Sequence, residues 1–110
     1  MDIEHYLQKV RECAETYAEA KGLVTFLEDY RPAVKALNMK EAARAGHTTA
    51  AAQEREALAS TDYGDHLRAL RYAVRDAEKA RVELRLADRA MDFYLDREAT
   101  KRAEMKGYSS

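Results

Sequence analysis

The sequence predicts an all-α fold: a long antiparallel helical hairpin of coiled-coil type with a short connecting helix, oligomerising into a helical bundle. Three observations carry this. Charged residues make up 35% of 110 residues, with one proline and four glycines, a balance typical of long helices. Apolar residues recur at alternating steps of three and four near both ends of the chain, the a/d rhythm of a helix–helix seam. No stretch shows the period of two that marks a strand.

The first helix is expected over 2–45. Asp2 suits the N-cap, where a side-chain oxygen accepts from a free backbone N–H. The stripe runs Ile3, Tyr6, Val10, Cys13, Tyr17, Ala20, Val24 and Leu27, and resumes at Val34 and Leu37. Gly22 weakens the helix by about 1 kcal/mol relative to alanine. Pro32 lacks a backbone donor and disfavours helix at Arg31, so a kink or short break is expected at 30–32. Gly46 is the natural C-terminal cap.

A short helix is expected over 49–59, in "TAAAQEREALA", with Thr48 or Thr49 as its cap. Ser60, Thr61 and Asp62 then offer three cap residues in a row. The last helix is expected over 62–105, with a stripe of Tyr63, Leu67, Leu70, Val74, Ala77, Leu84, Ala87, Met91, Tyr94 and Leu95. Glycine and proline are absent from 65–106, so this helix would reach about 60 Å at 1.5 Å per residue. The closing "KGYSS" is expected to fray. The whole chain reads as a single domain, because 110 residues are too few for two cores. Two long helices bury only a thin seam, so self-association into a homodimer or higher assembly would cover the remaining apolar edge.

Composition narrows the function classes. Nineteen Lys and Arg against 20 Asp and Glu leave a net charge of −1, so bulk charge favours neither nucleic acid nor an anionic membrane. No apolar run approaches the roughly 18 residues of a membrane span, and no membrane partner is expected. The lone Cys13 and the lack of a leader pattern in "MDIEHYLQKV" point to a cytoplasmic address.

Catalysis and metal binding find little support. Cys13 lies on the apolar stripe between Val10 and Tyr17, with no base beside it. His5, His47 and His66 fall in no HxxxH or HExxH pattern. Asp62, Asp65 and His66 within one turn read as capping rather than as ligands. "ARAGHTT" follows a helix and lacks the lysine of a phosphate loop. The expectation is a protein that is not an enzyme, with no catalytic residue, no cofactor and no metal.

Binding is the better-supported class. At 100° per residue, Arg68, Arg71, Arg75, Lys79, Arg89 and Arg97 share a sector of about 80° on the last helix. Asp65, Asp76 and Glu83 lie on its other flank. Such a row could track phosphates, or pair with Glu12, Glu15, Glu19 and Glu28 of the first helix or of a second copy. The short helix offers a second surface, with Gln53, Glu54, Glu56 and the following Tyr63 as candidate docking residues; packing across the bend of the hairpin is the favoured explanation of them.

The segments "GHTTAAAQEREALAS", Tyr63, "HLRALRYAV" and "LDREATKRAE" resemble a group of small all-helical proteins encoded by tailed bacteriophages. The likeness covers residues 35–104. It implies a viral protein acting in the cytoplasm of the host bacterium, with an early-region role near recombination or replication, and no catalytic residues. The leading expectation is an oligomeric accessory of DNA recombination or replication that binds single-stranded DNA or a DNA-bound protein. An anti-defence inhibitor that binds a host protein complex, in the manner of anti-CRISPR proteins, is the alternative. A coiled-coil scaffold or adaptor for another phage protein is the third.

Overall fold

A computed structural model describes residues 2–109. All its regular structure is helical: α1 (Ile3–Arg44), α2 (Ala50–Leu58) and α3 (Thr61–Ser109). Each boundary has a local cause. The backbone N–H of His5 donates to Asp2 Oδ1 at 3.2 Å, opening α1. At its other end the His47 N–H donates to the Ala42 carbonyl at 3.1 Å and the Gly46 N–H to that of Ala43 at 3.2 Å. This Schellman closure needs a left-handed residue after the last turn, and Gly46 supplies it at φ 106°. Thr49 caps α2, its hydroxyl accepting from the Ala52 N–H at 3.1 Å. Of the three candidates before α3, Ser60 is the cap, accepting from the Tyr63 N–H at 3.1 Å.

α1 runs through Pro32 as one helix, so a short break at 30–32 is not found. The helix on both sides outweighs the one missing donor. α3 is helical to Ser109, four residues past its expected end at 105.

The chain divides into two compact units. One, the loop unit, is Ala20–Ala77; the other, the terminal unit, joins the segment ending at Glu19 to the segment beginning at Glu78. In the loop unit the second half of α1 turns back through α2 into the start of α3. The fully buried Ala57, with Ala42 and Ala73, forms its interior together with His66. The His66 Nε2 lies 2.6 Å from the Leu27 carbonyl. A carbonyl only accepts, so this nitrogen carries the proton. Lys35 Nζ meets Glu54 Oε1 at 2.8 Å, tying α2 to α1.

In the terminal unit Tyr6 of α1 stacks on Tyr94 of α3, centroids 4.8 Å apart, while Ala80 and Ala87 are buried. The Tyr94 phenol is held above its ordinary pKa, chiefly by burial, with the Glu98 and Asp2 carboxylates and Tyr6 adding to the effect.

The α3 stripe differs from the expected one in phase. The less exposed positions run Tyr63, His66, Leu70, Ala73, Ala77, Ala80, Leu84, Ala87, Met91 and Tyr94, an unbroken alternation of three and four. Leu67, Val74 and Leu95, placed in the seam by their hydrophobicity, are exposed, as is Leu37 of α1. The reason is steric. Alanine at every seventh position lets two helices approach closely, and a seam built on small side chains leaves the larger ones on its flanks. No large side chain is fully buried among the described residues. The fold is therefore held by a narrow alanine-rich contact, supplemented by a half-buried aliphatic and aromatic margin.

Candidate nucleic-acid interface

Five of the six cations singled out by spacing project away from the α3 seam, whereas Arg97 stands at its edge, lining a groove with Tyr6 and Tyr94. In the loop unit these are Arg68, Arg71 and Arg75, all exposed. Arg68 pairs with Asp65 one turn earlier. Arg75 Nε lies 3.8 Å from Asp76 Oδ1, and its guanidinium sits over the Tyr72 ring, 5.0 Å from the centroid. Among the described residues Arg71 has no ion-pair partner. Exposed pairs of this kind contribute about 0.2–1 kcal/mol at most, so they leave the arginines available to a stronger anion.

In the terminal unit Lys79, Arg89 and Arg97 occupy the same sector of the helix and are exposed. Between them stand exposed apolar side chains: Val82, Leu86 and Phe93. The Arg97 guanidinium lies 5.9 Å from the centroid of the Phe93 ring. The sector of about 80° from Arg68 to Arg97 contains no acidic residue. Its bordering acids include Asp65, and Glu78, whose carboxylate is taken by Arg81 at 3.0 Å.

The alternative use of this row inside the chain does not occur. Among the described residues no ion pair joins any of the six to Glu12, Glu15, Glu19 or Glu28. In the loop unit the face is thus three guanidinium groups about 5–6 Å apart along the axis, with Tyr72 beside Arg75; in the terminal unit three cations stand further apart, with Phe93 beside Arg97. Such a surface offers bidentate donors to phosphate oxygens and a stacking platform to a base.

The second candidate surface is differently employed. The Gln53 side chain donates to the His47 carbonyl at 2.9 Å. Glu54 pairs with Lys35, Glu56 lies 4.0 Å from His47, and Tyr63 is half-buried on the seam side of α3. These four brace the bend, and packing across it is the use their geometry displays. Of the "DYGDH" group, Asp65 engages Arg68 and His66 engages the Leu27 carbonyl. No group of three potential ligands converges on a metal position among the described residues, and no described helix is long and apolar enough to cross a membrane. Cys13 is half-buried on the seam side of α1.

Two features escaped the sequence reading. His66 lies in the seam and Leu67 outside it; hydropathy, which ranks leucine above histidine, pointed to the neighbour. A second apolar stripe on α1, through Leu23, Phe26, Tyr30 and Leu37, is left exposed; its own three–four spacing was the available signal. No protein-family model, curated protein or solved structure matches the chain.

Proposed function

We propose that this chain is a non-enzymatic accessory that binds single-stranded DNA along the outward face of α3. DNA recombination or replication in a tailed bacteriophage is its proposed setting. One observation carries the reading: the acid-free row of Arg68, Arg71, Arg75, Lys79, Arg89 and Arg97, with Tyr72 and Phe93 exposed beside two of its arginines. Net charge is slightly negative, yet a bound strand responds to charges within a Debye length of about 8 Å, and the exposed pairs with Asp65 and Asp76 are weak enough to yield to phosphate.

Backbone phosphates would take the cations, and bases would stack on the rings, so binding would tolerate any sequence. Fluorescence anisotropy with a labelled thymidine oligonucleotide tests this. Three to six phosphate contacts predict a log–log salt slope of about −2 to −4 on a single strand. Arg71→Glu with Arg75→Glu should lower affinity about 100-fold or more while circular dichroism stays unchanged. Absent binding at low salt, or undiminished binding by the double variant, would remove the proposal. A stable complex with a host protein in place of DNA would favour the inhibitor reading.

A further inference from the structure

On the outward side of α1 in the loop unit, Leu23, Phe26, Tyr30 and Leu37 are 50, 59, 44 and 56% exposed. With Ala33 they recur at steps of three, four, three and four, within a sector of about 80° that holds no charge. This is a second a/d stripe on the same helix, distinct from the seam that α1 shares with α3. The Phe26 and Tyr30 rings are stacked, 5.7 Å between centroids and 8° between planes, so the two present one continuous apolar surface. Tyr30, Val34 and Leu37 border an open groove of about 400 Å³ whose remaining lining, Asn38 with Asp62, Asp65 and His66, is polar, so the apolar stripe lies to one side of it. A heptad stripe calls for another helix, because only a helix presents knobs at the matching spacing.

We infer that the occupant is the same stripe of a second copy, packed antiparallel. Charge and size both select this. The heptad register continues to Glu19 before the stripe and to Lys40 and Arg44 after it. A parallel pair would set Glu19 on Glu19, Arg44 on Arg44 and Tyr30 on Tyr30, and would leave a gap at Ala33. Two antiparallel registers keep the stripes in contact. In one, Tyr30 meets Phe26 of the second copy and Glu19 falls on an apolar Leu37. In the other, Tyr30 meets Ala33, Phe26 meets Leu37, Leu23 lies along the Lys40 stem, and Glu19 meets Arg44. The second register places large against small and acid against base at each end, and its two-fold axis gives both copies the same surface. Arg44 already donates one N–H to Glu41 at 2.7 Å; its other donors serve Glu19 of the second copy.

This dimer goes beyond the DNA reading and does not depend on it, since the side chains it calls on all belong to α1. Sedimentation velocity of the full chain in DNA-free buffer tests it. The expected result is a dimer at micromolar concentration. Leu37→Glu should weaken self-association at least about 30-fold with its helical signal retained. Glu19→Arg should weaken it as well, and Glu19→Arg combined with Arg44→Glu should restore it. A chain that stays monomeric at about 100 μM, or a Leu37→Glu variant that associates as tightly as the parent, would overturn the inference. So would a charge swap that fails to restore association, which decides the matter even if Leu37→Glu does not fold.

Discussion

The outward face of α1 from Leu23 to Leu37 and the outward face of α3 from Arg68 to Arg97 follow one helical period and carry opposite chemistry. The first presents leucines and stacked aromatic rings with no charge. The second presents six cations, with apolar groups between them and no acid. Apolar surface in water carries a free-energy cost that burial removes, whereas charged groups are well hydrated. Helical spacing alone separates the two chemistries: residues three and four apart share a side, so a chain with little core can still sort them onto two faces.

The comparison breaks first at α3. Reversing Arg71 and Arg75 to glutamate should cost single-stranded DNA binding about 100-fold, measured by anisotropy at low salt, and should leave self-association intact. The next test lies on α1, where Leu37→Glu should weaken the dimer at least about 30-fold in sedimentation and leave DNA contacts in place. Were both variants to lose both properties, the two faces would act as one surface and their separation would fail.

A third experiment asks which side of α3 is turned inward. His66→Ala removes a buried ring and its bond to the Leu27 carbonyl and should lower unfolding free energy by about 2–3 kcal/mol. Leu67→Ala, on an exposed neighbour, should cost less than about 1 kcal/mol. Urea titration compares them, and the reverse order would return Leu67 to the seam.

The smaller effects follow. Gly46→Ala forces a β-carbon into a left-handed turn at φ 106° and should destabilise by about 1 kcal/mol. The raised Tyr94 pKa means that folding favours the neutral phenol. Its contribution is therefore fully present below the unfolded value of about 10 and is lost as pH climbs through the higher folded value. Absorbance titration at alkaline pH should show one late-ionising tyrosine, absent in Tyr94→Phe.

Much of the fold was legible in the residues. Asp2, Thr49 and Gly46 end helices as their side chains or lack of them require, because capping is a local event within a few residues. The cationic row was legible for the same reason, since a helix face depends only on spacing. The phase of the α3 seam was not. Leu67 and Val74 outrank His66 and Ala73 in hydropathy, and a pattern read along one helix has no knowledge of how near its neighbour comes. That Gln53 and Glu54 pack across the bend was the favoured reading, but nothing local reveals that their partners are the His47 carbonyl and the Lys35 ammonium.

By itself, then, the sequence determined the helices, their caps and the grouping of charge along α3, because each arises from interactions within one or two turns. Only the tertiary structure decided that Ala73, Ala80, Ala87 and His66 face inward while Leu67, Val74 and Leu95 remain outside. That choice depends on the distance between two helices, and close approach rewards the smallest side chains over the most hydrophobic ones.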